Sequence, residues 1–266
     1  MNEIIKEISR DAIVQCIEGN FHDLYIFLGQ QSNRTLSVDS PIWWLITKPS
    51  LWPNTLFNAQ FEPSTVEERI DQIIAEIEAD RVPSVWAVGP GSTPDDLGNR
   101  LERKGFTKKG TQIGMAANLV ALSADSTLPE DSSVQIVTDQ DTLSKWTATV
   151  EKGMFGQNIF DPSFLEALLG KPTVTFYLGT CSGNPVATSF LFLSSGVAGI
   201  YLVSTLPEYR RRGIGTAMTV KPLLDARAMG HRIGILQANP AAESMYARIG
   251  FNRYCTFDFF KWEMKR

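Results

Sequence analysis

Tyr209-Arg210-Arg211-Arg212-Gly213-Ile214-Gly215-Thr216 joins an apolar, β-branched run at 197–205 to a helical pattern at 214–229 that stops at Gly230. Amides in the first turn of a helix have no intrahelical acceptor, and the dipole there is positive. A strand-to-helix loop of this kind therefore suits an oxyanion. Gly213 and Gly215 carry no Cβ, so the chain can take positive φ and lay its amides against the anion. Three adjoining arginines would each oppose the dipole by a few tenths of a kcal/mol unless an anion intervened. Charge-assisted hydrogen bonds are worth about 1.5–3 kcal/mol each, so three or four would hold a pyrophosphate. Two other phosphate loops do not fit. A P-loop needs Lys-Ser/Thr after its second glycine, where this chain has Thr216-Ala217. A dinucleotide fingerprint needs Gly or Ala where Met218 stands, and it follows a parallel unit, not hairpins.

Upstream, three β-rich runs at 174–180, 186–193 and 197–205 are separated by Ser182-Gly183-Asn184-Pro185 and Ser194-Ser195-Gly196, both tight-turn sequences. They predict an antiparallel meander. The last two runs are apolar on nearly every residue, which predicts a sheet centre covered on both faces. Helical patterns at 138–152 and 161–170 precede them, the second with Asp161 as N-cap, Pro162 in the first turn and Gly170 as its stop. Downstream come a strand at 233–238, a helix at 241–249 and a strand at 254–262. Pro222 sits inside the 214–229 helix, removes the bond to the Met218 carbonyl and predicts a bend. The class is α+β, a mixed and mainly antiparallel sheet flanked by helices.

The N-terminal half carries a fainter version of the same order. A helix at 66–80, a strand at 84–88 and a helix at 94–104 close on Gly105-Phe106, as the helix at 241–249 closes on Gly250-Phe251. Two copies of one fold account for this, although a helix ending in Gly then Phe is also ordinary capping chemistry. The stretch 121–133 turns to Ser, Asp, Pro and Glu, an exposed connection. It sets two domains, 1–125 and 126–266. Residues 1–10 alternate charged and apolar side chains, which predicts a helix and not a secretion signal.

The C-terminal residues resemble the GNAT N-acetyltransferase superfamily, in a tandem form with a degenerate N-terminal copy. Its cofactor loop reads Gln/Arg-x-x-Gly-x-Gly/Ala, matched by Arg210, Gly213 and Gly215. The stretch Asn239-Pro-Ala-Ala-Glu-Ser244-Met-Tyr246-Ala-Arg-Ile-Gly250-Phe251 matches the family's later segment. The resemblance is strong over 174–262 and weak before it. It implies acetyl-CoA as co-substrate and no metal. Backbone groups of Val203, Ser204 and Thr205 would then hold the pantetheine, and amides of Arg211, Arg212, Gly213, Ile214, Gly215 and Thr216 the pyrophosphate. Asn239 and Ser244 would lie near the pantetheine arm, and Tyr246 would protonate the departing sulfur.

Acyl transfer from a thioester to an amine needs a neutral nucleophile, an oxyanion partner and a proton for the thiolate. A tyrosine hydroxyl, with a reference pKa of about 10, can donate that proton at neutral pH. Ala242, Met245, Tyr246 and Ile249 also recur at helical spacing, so Tyr246 equally suits a core aromatic. No general base stands out. His22 and His231 are the only imidazoles, His231 reads as a helix-end cap after Gly230, and Glu208 and Glu243 read as surface acids. In the N-terminal half Leu101 occupies the place of Tyr246, and 60–65 holds Glu62 and no glycine. That copy is not expected to bind CoA. Its aromatic run, Trp43, Trp44, Trp52 and Phe57, suits core packing or one wall of an acceptor pocket.

Composition bounds the rest. Lys and Arg total 25 against 29 Asp and Glu, so no global positive field draws nucleic acid. Cys16, Cys181 and Cys255 are odd in number and far apart, which argues against disulfides or zinc. No apolar stretch approaches the roughly 18–20 residues of a membrane span. The expectation is a cytoplasmic acyltransferase acting on a small-molecule amine or peptide acceptor, with no nucleic-acid or membrane partner. The alternative is a CoA-binding or protein-interaction module without turnover.

Overall fold

The computed structural model describes residues 9–31, 34–123 and 128–263. The helix expected at 1–10 and the boundary expected at 125/126 fall mainly on residues outside these. The helix α1 (Arg10–Gly29) begins at Ser9, whose hydroxyl accepts the Ala12 amide at 3.2 Å. Three short strands follow, β1 (Thr35–Ser37), β2 (Trp43–Ile46) and β3 (Thr55–Phe57). Then come α2 (Val66–Glu78), β4 (Val85–Val88), α3 (Leu97–Lys104) and the long β5 (Thr107–Asn118). After β6 (Ser132–Ile136), the helix α4 (Gln140–Val150) runs into a π turn (Glu151–Phe155), and α5 (Pro162–Glu166) leads to the meander β7 (Val174–Cys181), β8 (Asn184–Ser194) and β9 (Val197–Thr205). The chain ends with α6 (Ile214–Ala228), β10 (Ile233–Ala238), α7 (Glu243–Ile249) and β11 (Asn252–Lys261).

All eleven strands form one sheet in the order β1-β2-β3-β4-β11-β5-β10-β9-β8-β7-β6. The two halves are interlocked within it. β11, last in the chain, pairs with β4 and β5, while β5 pairs with β10 and β11. Each half thus completes its sheet with a strand of the other.

The apolar runs of β8 and β9 have their expected cause. Phe190 and Phe192 enter a core shared with Ile17, Phe21 and Leu24 of α1 and Trp146 of α4. The alternate residues Ala187, Leu191 and Ile200 enter the opposite core with Met218 and Leu223 of α6. A third core places α2 and α3 over the N-terminal strands through Ile70, Trp86, Leu97 and Phe260. Trp146 is fully buried, with Nε1 donating to the Ser189 carbonyl at 3.2 Å. Its truncation to alanine should cost about 3–5 kcal/mol. α6 continues as one helix through Pro222, which is buried.

Helix ends follow one rule at three sites. Gly105, Gly230 and Gly250 have φ of 108°, 100° and 112°. In each case the next amide reaches back to a carbonyl one turn inside, Phe106 to Leu101, His231 to Ala226 and Phe251 to Tyr246, at 3.0–3.1 Å. Only a residue free of Cβ strain takes that left-handed turn at little cost. His231 therefore ends α6, as its sequence position suggests, with Nδ1 3.4 Å from the Gly196 carbonyl.

Candidate active site

β9 and β10 are parallel and paired from Ala198–Gly234 to Ile200–Leu236, after which the two strands part. A groove of about 700 Å³ opens at this splay. Its floor is the end of β9, with Val203, Ser204 and Thr205. One wall is the loop before α6, one is Gly153 and Met154 of the π turn, and the third is the segment from Ala241 to Arg248.

Of the two glycines expected to allow positive φ, Gly213 takes it and Gly215 does not. Gly213 has φ 83° and caps α6, and Arg211 is also left-handed at φ 63°. The first amide of the helix to find a backbone acceptor is that of Ala217, on Gly213 at 3.1 Å. The amides of Arg211 to Thr216 have no acceptor among the described residues. Six donors at the positive end of a 15-residue helix are thus left for a ligand. A Cβ at Gly215 would meet Met245 Sδ at 3.4 Å and Thr205 Oγ1 at 3.6 Å, both ordinary contact distances.

The three arginines divide. The Arg210 guanidinium donates to the Thr205 carbonyl at 2.9 Å and the Gly153 carbonyl at 3.3 Å, clamping the π turn to the end of β9. Arg212 lies over the Tyr209 ring at 5.7 Å and faces Asp131 at 3.8 Å. Arg211 lines the groove and has no ionic or hydrogen-bonded side-chain partner among the described residues. A second clasp, Lys152 to Glu208 at 3.3 Å, binds the π turn to the short turn Pro207–Tyr209. The Ser204 hydroxyl is buried beside Gly153 without a hydrogen-bond partner.

Tyr246 reaches the groove from α7. It is 7% exposed and stacks edge-on against Phe251, with ring centroids 5.9 Å apart. Burial pushes its hydroxyl up to about 12. The group is therefore protonated throughout the neutral range and makes no hydrogen bond to another described residue. It is both a core aromatic and a groove residue, so the two sequence readings of this position describe one side chain.

Of the residues singled out from sequence, Val203, Ser204, Thr205, Arg210, Arg211, Gly213, Gly215, Thr216, Ser244 and Tyr246 come together around the groove. Three stand back from its lining. The Ile214 side chain is core, the Arg212 side chain is committed to Tyr209 and Asp131, and Asn239 caps its own turn by accepting the Ala241 amide at 3.0 Å. Six residues not singled out as site residues also line it: Gly153, Met154, Ala241, Ala242, Met245 and Arg248. Arg248 was legible only as a cation in the last turn of a helix, and nothing in the local pattern marks a π turn.

Elsewhere, half-buried His22 packs among Phe21, Trp43 and Phe57, and burial lowers its pKa to about 4. Trp44 and Ile42 line a separate cavity of about 740 Å³ under α2, so the aromatic run does not reach the groove. Nearer the splay, fully buried Asn20 of α1 accepts the Tyr201 hydroxyl at 2.7 Å and donates to Ser194 Oγ at 2.9 Å. A helix of the N-terminal half is thereby fixed beneath β9. Among the described residues no group of three or more His, Cys, Asp or Glu could hold a metal, and no helix is long and apolar enough to cross a membrane.

Residues 184–254 match the family model described as an acetyltransferase (GNAT) domain. Comparison with curated proteins finds no match. Among solved structures, a GCN5-related N-acetyltransferase from Kribbella flavida aligns with a TM-score of 0.70 at 19% identity, over 92% of this chain and 96% of that one. A GCN5-related N-acetyltransferase from Sphaerobacter thermophilus gives 0.64 at 14% identity, over 96% and 91%. A tandem GNAT protein from the clavulanic acid biosynthesis pathway gives 0.58 at 11% identity, over 85% and 79%. At these identities the likeness is one of fold, and it extends through both halves.

Proposed function

We propose, from the premise that this chain belongs to the GNAT acetyltransferase superfamily, that it transfers an acetyl group from acetyl-CoA to a primary amine on a small molecule or peptide. The observation that carries this reading is the run of unpartnered amides from Arg211 to Thr216, on the loop that walls the same groove as Tyr246. An anion-binding helix end and a neutral proton donor in one cleft are what thioester aminolysis requires.

The loop amides would hold the pyrophosphate and the exposed edge of β9 at 203–205 the pantetheine arm. Acetyl-CoA supplies an activated acyl group and a thiol leaving group. The role of Tyr246 is then to offer its proton where charge gathers on sulfur. A hydroxyl held near 12 is a weak acid beside a thiol of about 8.5, a gap of about 5 kcal/mol. The same burial that raises Tyr246 also raises a thiol enclosed beside it, which narrows the gap. Hydrogen bonding to the departing sulfur, with the proton transferring late, is the form of catalysis that fits. Arg210 contributes indirectly, by holding the π-turn wall against β9.

Release of free CoA thiol from acetyl-CoA across a panel of amines tests the proposal. Turnover with at least one amine, lost in Tyr246→Phe while acetyl-CoA still binds, is the expected result. Calorimetric binding with no turnover on any amine, or no binding at all, would overturn it.

A further inference from the structure

The π turn borders a second cleft, of about 500 Å³, between α4 and the segment 156–166. Glu151 and Lys152 line this cleft, whereas Gly153 and Met154 of the same turn line the groove. The fixed polar groups of the cleft are acceptors. Ser144 and Thr147 donate their hydroxyl protons to the Gln140 and Leu143 carbonyls of α4, each at 2.8 Å, so only lone pairs are left for a ligand. Glu151 is 7% exposed, and its Oε1 accepts the Ile159 and Phe160 amides at 2.7 and 2.9 Å. A carboxylate held this deep is costly unless both oxygens are compensated. Holding the chain at 159–160 accounts for Oε1 but not for Oε2, which has no partner among the described residues. The exposed carboxylate of Glu166, also in the lining, has none there either. The one cation in the lining, Lys152, is paired with Glu208 at 3.3 Å. Among the described residues no third metal-ligating side chain joins these two carboxylates, so the cation that suits them binds through N–H donors.

We infer that this cleft is a binding site for a multiply protonated organic amine, a polyamine in chemical class, with Glu151 and Glu166 each receiving an ammonium. An ammonium carries three donors and no acceptor, the complement of a lining whose hydroxyl protons are already committed. A neutral polyol brings as many acceptors as donors and leaves the carboxylates without a counter-charge. No residue that lines this cleft also lines the groove, so the site is separate from the one described above and does not rest on acetyl-CoA as donor. The two share only the π turn.

Titration calorimetry of the full chain with spermidine, in the absence of acetyl-CoA, tests the inference. One equivalent should bind, with an affinity that falls as salt is raised, because the cleft is open to solvent. Sorbitol and glutarate should give no binding at the same concentrations. Glu166→Gln should weaken spermidine about tenfold, the loss of one charge-assisted bond, with unchanged melting because the side chain is exposed. Glu151→Gln keeps an oxygen for the Ile159 and Phe160 amides while removing the charge, and should weaken binding by at least as much. Ser144→Lys sets a cation on an exposed position of the α4 wall and should also weaken binding about tenfold, which serves if the buried Glu151 variant fails to fold. Glu102→Gln, an exposed acid outside the cleft, should leave binding unchanged. Absence of spermidine binding would overturn the inference, as would binding that survives Glu166→Gln and Ser144→Lys. Equal weakening by Glu102→Gln would overturn it too, by reducing the effect to the general attraction of an acidic chain. None of these results touches the donor reading, which CoA release decides separately.

Discussion

The groove at β9–β10 has a counterpart in the N-terminal half that is closed, and the contrast shows what keeps the first open. In each half two parallel strands meet briefly, at Ile200–Leu236 and at Leu56–Trp86. β9 and β10 then stay apart. Beyond β3 and β4 the chain is joined again at Gln60–Thr93, with the Phe61 amide on the Thr93 carbonyl at 3.2 Å and the Thr93 amide on Ala59 at 2.9 Å. The side chain of Gln60 adds a bond to the Gly91 carbonyl at 2.6 Å. Backbone groups that would face a ligand are consumed by the protein. The chemistry has changed with them: Glu62, Asp95 and Asp96 line the shallow cleft that remains, and fully buried Leu101 stands where Tyr246 does. The helix ends are nevertheless the same, with Gly105-Phe106 and Gly250-Phe251 making matching backbone bonds. Capping and packing persist in both halves. At the β9–β10 groove the helix donors from Arg211 to Thr216 are left without an acceptor instead, a cost that a bound anion would offset.

Putting the N-terminal half's sign of charge into the working groove should give the largest effect. A Cβ at Gly215 would meet Met245 and Thr205 only at ordinary contact distances, so Gly215→Glu can be accommodated. A carboxylate in the first turn also suits the helix dipole, so melting should hold steady. Acetyl-CoA affinity should fall about a thousandfold, as two or more charge-assisted hydrogen bonds are lost. Titration calorimetry giving a dissociation constant within tenfold of wild type would remove the loop from the donor site.

Tyr246→Phe brings the working half one step toward the Leu101 condition. A positioned proton donor typically contributes 10²–10⁴, so kcat should drop about a hundredfold, with KM for acetyl-CoA within about threefold. With its hydroxyl near 12, the wild-type kcat should show no alkaline limb from this residue below about pH 11. A kcat near that of wild type would confine Tyr246 to packing.

The packing of α1 on the N-terminal strands gives the next effect. His22 of α1 titrates near 4 in the folded chain because burial disfavours its charged form, whereas an unfolded histidine titrates near 6.5. The unfolded state therefore binds more protons between these values. Stability is intact above about pH 6.5 and falls as pH drops toward 4, by about 2 kcal/mol at pH 5. Urea midpoints at pH 7 and pH 5 should show this, and His22→Gln should flatten the dependence. Because β5 and β11 are exchanged, the loss should come in a single transition; two separate unfolding steps would contradict a shared sheet.

How much of this was legible follows from the range of each interaction. The meander β7–β8–β9, the helix α6 and the loop before it are local patterns of period 2 or 3.6 with glycine stops, and they stand where the sequence put them. The exchange of β5 and β11 leaves no local mark, because a strand reads alike whichever neighbour completes it. The same holds for the Gln60–Thr93 bridge, which is made by two loops. Met154 and Gly153 were missed because 138–152 reads as helix until the π turn widens it, and such turns have no sequence period.

The smallest effect isolates that missed wall. A Cβ on Gly153 would collide with Ser204 Oγ and touch Leu206 Cδ2 at 3.4 Å. Gly153→Ala must therefore push the π turn away from β9, against the clamp that Arg210 provides. The groove mouth is distorted while its loop amides and Tyr246 remain in place, so KM for acetyl-CoA should rise about tenfold, equivalent to about 1.4 kcal/mol. kcat should change by less than about threefold. Because the obstructing atom is a single buried hydroxyl without a partner, Ser204→Ala removes it at little cost to stability. The double variant Gly153→Ala/Ser204→Ala should then recover to within about threefold of wild type, a non-additivity that direct contact predicts. Additive losses in the double variant would mean that Ser204 serves the ligand itself. No loss in the single variant would mean that the π turn is free to move, and that the open groove, unlike its sealed counterpart, does not depend on this wall.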